Sequence, residues 1–344
     1  MNRSSEGFPE VARDSIPYRG EHLPVLGTIE VAGREYLILK EIRPGQRRRL
    51  FVYQPWRGSG GEFRQIFFFP SGQTSRQHMR VLQRLSQGNP NLPTIIECVA
   101  GKGEFIIVTN WVHGQDLESY LDEVQSNPTR VPSVSETIRL YRGLAHGLTQ
   151  MHRRHNVIHA DIKPENLVFT REPNRLVMID FGSAWAVETT YRRVPGDGKS
   201  EHFAAPELQK KPPSVTSRSD QFSATVVAYR MLTGRLPYGE MGGKAGLPEL
   251  RQDYEPLYKP PSQISPQHRQ VPRRIWQVID ETIGKALDLD PEKRFQTGSG
   301  WLEALEDLHC EMRRKPQFNV LDRTLMAIFR RFQKTQQPPG NSVH

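Results

Sequence analysis

The sequence predicts an α+β fold in two lobes, a small β-rich lobe followed by a larger α-helical one. Up to about residue 112 the apolar residues come in short, strand-length runs divided by Pro and Gly turns. Beyond Gly114 they recur at helical steps of three and four. The 344 residues, 36% of them hydrophobic and 25% charged, suffice to bury a core without disulfides or a structural metal.

In chain order, residues 1–24 are polar and without period and read as a flexible arm. The small lobe is expected over 25–112. Its strands are YLILKEI (36–42), RRLFVYQ (48–54), FRQIFFF (63–69), TIIECV (94–99) and EFIIVTNWV (104–112), with one short helix over 75–86. The large lobe is expected over 113–312. Its helix at 136–155 puts Ile138, Tyr141, Leu144, Leu148 and Met151 on one face. The segment 221–234 is apolar nearly all round, the mark of a buried helix. Helices at 273–287 and 300–310 complete it. A tail over 313–344 holds VLDRTLMAIFRRFQK (320–334), basic and amphipathic, suited to docking on its own lobe or a partner, or to an anionic membrane surface.

Composition narrows the function. Cys98 and Cys310 are too few for a disulfide framework or a zinc site. With no secretory h-region and no apolar run near ~18 residues, a cytoplasmic protein is expected. The net charge of +9 is spread over short clusters such as Arg47–Arg49 and Arg313–Lys315. No nucleic-acid motif accompanies them, so a solvated basic surface is the reading and nucleic acid is not an expected partner.

The chemistry sits in Val157-Ile-His-Ala-Asp-Ile-Lys-Pro-Glu-Asn-Leu-Val168, followed by Met178-Ile-Asp-Phe-Gly182 and Ala205-Pro-Glu207. Together, in this order and spacing, these resemble the catalytic loop, metal-binding loop and APE element of the eukaryotic-type protein kinases, over roughly residues 36 to 310. The resemblance implies a two-lobed protein kinase fold, ATP and Mg²⁺ as cofactors, and protein substrates with Ser or Thr acceptors. It makes Asp161 the group that orients the acceptor hydroxyl and takes its proton, and sets Lys163 by the γ-phosphate. Asn166 and Asp180 become the magnesium ligands, an oxygen pair that suits the ion. It further implies that Asp220 ties down the catalytic-loop backbone and that Glu207 pairs with Arg294. Ser200 takes the place of the P+1 Thr of Ser/Thr kinases, and His159 is structural, packing on the DFG segment. Thr109 becomes the gatekeeper, Asn110 to Val112 offer backbone groups to adenine, and Leu50 and Val168 join the nucleotide site. Asp116 is positioned for the ribose or, equally, as the N-cap of a helix over 117–124.

The small lobe departs from the family. Arg43-Pro-Gly-Gln-Arg-Arg-Arg-Leu50 keeps only Gly45 of the glycine loop, and RQIF (64–67) puts Phe67 at the usual lysine and Gln65 above adenine. No lysine lies between Lys40 and Lys102 and no acid between Glu62 and Glu97, so the usual lysine–glutamate pair is missing. Ala160 replaces the arginine that grips an activation-segment phosphate, so Thr189, Thr190 and Tyr191 are expected not to control activity. Two readings follow: an atypical active kinase, or a pseudokinase acting as a nucleotide-binding or partner-binding scaffold. In the first, strand alternation from Leu50 aims Arg48 at the phosphates, with Arg47 and Arg49 facing solvent. This resembles the with-no-lysine kinases, whose lysine lies in the glycine loop.

Overall fold

The computed structural model describes residues 14–45, 48–70, 85, 88–101, 103–127, 131–181, 184–186, 199–210, 213–247, 250 and 257–313. The described residues up to Asn110 are mostly β-structure. A hairpin of β1 (Ser15–Tyr18) and β2 (Glu21–Pro24) precedes an antiparallel sheet. That sheet holds β3 (Gly27–Val31), β4 (Arg34–Arg43), β5 (Arg49–Pro55), β6 (Gly61–Pro70), β7 (Ile95–Ala100) and β8 (Glu104–Asn110), in the order β3-β4-β5-β6-β8-β7. The arm expected over 1–24 thus gives way, from Ser15 on, to a hairpin packed on the sheet. Its two-residue turn, Arg19-Gly20, has positive φ at both positions, the geometry that matches the twist of paired strands.

Val31, Tyr36, Leu50, Val52, Ile66, Phe68 and Val108 pack on one face of the sheet. Phe67, Phe69, Phe105 and Ile107 on the other face join the core of the helical lobe. Below lie α1 (Leu117–Ser126), α2 (Val134–His155), α3 (Ser217–Thr233), α4 (Arg273–Ala286) and α5 (Gly298–Arg313). Helix α2 buries Ile138, Tyr141, Leu144, Leu148 and Met151, the face its periodicity predicts, and starts where the Ser133 side chain accepts from the Glu136 N–H. Helix α3 is buried on nearly every side, including polar Ser219 and Asp220. Strand β9 (Gln115–Asp116) leads into α1, and between α2 and α3 run β10 (Val157–Ile158), β11 (Leu167–Arg171), β12 (Asn174–Met178) and β13 (Trp185–Ala186). Strands β12, β11 and β9 form a small sheet, and β10 pairs with β13.

The helix expected over 75–86 lies, apart from Leu85, outside the described residues, as does the amphipathic segment 320–334. No helix of the described residues is long and apolar enough to cross a membrane.

Candidate active site

The loop between β10 and β11 is held from below. Both carboxylate oxygens of Asp220, on α3, accept backbone N–H groups of the loop: His159 at 2.7 Å and Ala160 at 2.8 Å. His152 Nε2 lies 2.7 Å from the same carboxylate. Ala160 has φ of +60°, a left-handed conformation that costs a non-glycine residue roughly 1–2 kcal/mol. The charge-assisted bonds from Asp220 compensate for it. His159 is fully buried with both ring nitrogens unpartnered, its ring 5.6 Å from that of Phe181. Burial holds its pKa below the ordinary imidazole value, so it stays neutral and structural.

On this platform the polar residues converge. Asn166, in the 3₁₀ turn Pro164–Asn166, donates its amide to Asp161 Oδ2 and to the Asp161 carbonyl, each at 2.9 Å. Lys163 Nζ lies 3.7 Å from Asp161 Oδ2. The Asn166 carbonyl accepts from Ile179 N–H at 3.0 Å, which ties the catalytic loop to the segment bearing Asp180. Beside them the Glu165 carboxyl has an unpartnered buried oxygen, and burial raises its pKa.

The cation that reaches this group is Arg49, not Arg48. Its guanidinium bonds the Asp180 carboxylate and lies 5.1 Å from the Phe67 ring; the residue is 8% exposed. Register is the reason. Arg49 pairs with Phe67, Phe51 with Gln65, and Gln65 in turn with Thr109, so these share one face, the one turned to the catalytic loop. Arg48 and Leu50 belong to the other face. Leu50 is core there, and the Arg48 guanidinium sits 4.3 Å from the Phe68 ring. Alternation along β5 is unreadable from sequence because Arg49 to Tyr53 are all buried, on both faces. The expected register, which put Leu50 on the cleft face, is therefore off by one: Phe51 shares the face of Arg49 and Gln65.

The other expected nucleotide residues line the junction of the lobes. Val168 and the partly buried Val112 pack with Val177 and Ile179 as a floor. Thr109 is buried with its hydroxyl unpartnered. Asn110 braces β7: its N–H donates to the Thr94 carbonyl at 3.0 Å, and its side-chain oxygen accepts from Thr94 N–H. Asp116 is the N-cap of α1, accepting the N–H of Ser119 at 2.9 Å and its hydroxyl at 2.8 Å. That is the capping alternative, with a helix two residues longer than expected.

The donor set fits magnesium. Asn166 spends its amide nitrogen on Asp161, which leaves the carbonyl oxygen as the ligand atom, and Asp180 supplies carboxylate oxygens. Among the described residues no group of three or more His, Cys, Asp or Glu converges as a metal cage. Two protein oxygens with the rest from phosphate and water is the pattern this ion takes beside a nucleotide. Further down, Arg294 makes a two-pronged buried pair with Glu207 at 2.7 and 3.0 Å, as expected. Thr189, Thr190 and Tyr191, and the Ser200 side chain, lie outside the described residues.

Residues 70–306 match the family model described as "Protein kinase domain". The chain is 30% identical over 207 residues to the "Probable serine/threonine-protein kinase HSL1" of Saccharomyces cerevisiae, covering 60% of this chain and 12% of that protein. It is 31% identical over 204 residues to the "Serine/threonine-protein kinases PknA" of Corynebacterium glutamicum, covering 58% and 38%. It therefore spans well under half the length of these relatives. Among solved structures, the PknI kinase domain of Mycobacterium tuberculosis superposes with TM-score 0.54 at 18% identity, covering 81% of this chain and 97% of that one. The kinase PK-1 of Cydia pomonella granulovirus superposes with TM-score 0.60 at 20% identity, covering 78% and 93%.

Proposed function

Because the chain belongs to the protein kinase family, we propose that it transfers the terminal phosphate of ATP to Ser or Thr hydroxyls of protein substrates. The observation that carries this is the convergence of Asp161, Lys163, Asn166 and Asp180 with Arg49, a cation standing in for the missing strand lysine. The relatives named above as serine/threonine kinases support the hydroxyl substrate.

When bound, magnesium ATP supplies the electrophilic phosphorus and neutralises its oxygens. The protein's part is positioning and charge. Asp161, fixed by the Asn166 amide, would accept a hydrogen bond from the acceptor hydroxyl and take its proton as the new P–O bond forms and the bond from the terminal phosphorus to the departing ADP oxygen breaks. Lys163, 3.7 Å from that carboxylate, faces the charge on the transferring group. Asn166 and Asp180 would hold the metal ion, and the Arg49 guanidinium beside them, whose fork suits phosphate oxygens, would neutralise their charge. In this reading the protein acts in the cytoplasm.

One observation favours a second reading, a pseudokinase scaffold: Phe51, Gln65 and Phe67 crowd the roof of the cleft with bulk. Asp161→Asn decides between them. With a Ser/Thr-rich protein acceptor, phosphotransfer is expected to fall about 10²–10⁴-fold, the span of general-base catalysis, with MgATP affinity unchanged. Equal residual rates in both proteins would remove the enzyme reading.

A further inference from the structure

The β1–β2 hairpin lies outside the span that matches the family model, which begins at residue 70. Its apolar side, Ile16, Tyr18 and Leu23 with the following Val25, packs against Leu39, Phe51, Tyr53, Phe63 and Trp111. Two polar contacts reach past the sheet to the segment joining the lobes. Trp111 Nε1 donates to the Tyr18 hydroxyl at 2.8 Å, and Arg19 Nη2 donates to the Gly114 carbonyl at 3.4 Å. The Tyr18 ring also stacks on His113, with centroids 6.0 Å apart.

This contact falls on the base end of the nucleotide site. Arg49 marks the phosphate end through Asp180, and Phe51, two residues on along the same face, must then lie where a base would stack. The Phe51 ring already has aromatic partners: Trp111 at 4.1 Å and Tyr18 at 5.2 Å between centroids. The roof and floor are shut as well. Phe51 and Gln65 are each 4% exposed, Val168 7%, and Thr109 is fully buried. A cleft wide enough to admit a base leaves such residues open to water until the base arrives.

We propose that the hairpin is an autoinhibitory latch on the base side of the cleft. It ties the Phe51 roof to the Trp111–Gly114 connection, and nucleotide enters only when Tyr18 and Arg19 let go. The inference rests on the nucleotide-dependent reading above and adds its control. The turn Arg19-Gly20 carries both gripping side-chain positions at its edge, so the hairpin can swing away without unfolding β3 to β8, whose ladder it does not join.

The test uses the full chain with MgADP as probe, followed by calorimetry, with thermal melts to confirm folding. Tyr18→Ala/Arg19→Ala is expected to bind MgADP at least tenfold more tightly than the parent. Trp111→Phe, which removes the donated hydrogen bond and trims the ring beside Phe51, should show a smaller gain in the same direction. In the parent, MgADP should speed backbone hydrogen exchange over residues 14–24. Measurable parent binding that neither variant improves would overturn the latch and leave phosphotransfer standing. No binding by any of the three proteins at millimolar MgADP would overturn the nucleotide reading, and the latch with it.

Discussion

Replacing Arg49 by alanine separates the cleft cation from its basic neighbours. In the free protein the change removes a guanidinium from Asp180, itself only 8% exposed. Breaking a fully buried pair costs about 3–5 kcal/mol. Here both partners keep 8% of their surface in water, so the expected loss of stability is lower, about 1.5–3 kcal/mol, the range for a hydrogen bond to a charged group. In the nucleotide complex the same side chain loses its bond to phosphate, about 1.5–3 kcal/mol, or roughly 10- to 150-fold in MgATP affinity. Arg48→Ala is the matched control. It removes a stacking contact on Phe68 at the opposite face, about 0.5–1 kcal/mol of stability, and no nucleotide contact. Arg49→Lys should keep part of the affinity, since it retains charge but not the fork. Calorimetric titration of each full-length variant with MgATP, beside urea melts without nucleotide, measures both effects. The reasoning fails if Arg48→Ala weakens MgATP as much as Arg49→Ala does, or if Arg49→Ala leaves the affinity untouched.

Two further outcomes follow from buried groups. Arg294→Met strands the Glu207 carboxylate, leaving it the hydrogen bond from the Ser219 hydroxyl at 2.9 Å, and should cost about 3–5 kcal/mol in chemical denaturation. Adding Glu207→Gln should recover part of that loss, and a single-variant cost below about 1 kcal/mol would count against the bracing role. The third concerns acid. Burial lowers the His159 pKa in the fold, although Asp220, Asp161 and Asp180 oppose the shift, so the unfolded chain binds the proton more readily. The stability this neutral ring contributes is intact above the unfolded value of about 6.5 and is lost as pH falls below it. Melts between pH 7.5 and 5.5 should slope less steeply for His159→Leu than for the parent, and parallel curves would refute the assignment.

The catalytic loop was legible through family likeness, and the likeness was easy to see because Asp161, Lys163 and Asn166 lie within six residues of one another. The buried helix α3 was legible from its residues, since a segment apolar on every side has nowhere to go but inside, whereas the bonds of Asp220 to the loop N–H groups were anticipated by family likeness. The pair Glu207–Arg294 spans 87 residues and was visible only through family likeness, since nothing in either local stretch demands the other.

Tertiary structure alone decided which arginine enters the cleft and what the N-terminal residues do. A strand buried on both faces has no polar–apolar alternation, so neighbouring arginines at its start look alike until pairing with β6 assigns each a face. The hairpin at Ser15–Pro24 reads from sequence as part of a flexible arm, because its few apolar side chains are intelligible only beside partners more than a dozen residues away, such as Leu39, Phe51 and Trp111. Sequence determines the chemistry that neighbouring residues share and the faces that periodicity marks. Contacts between distant segments are settled by register and packing, because there the same side chain is core or surface according to what lies across from it.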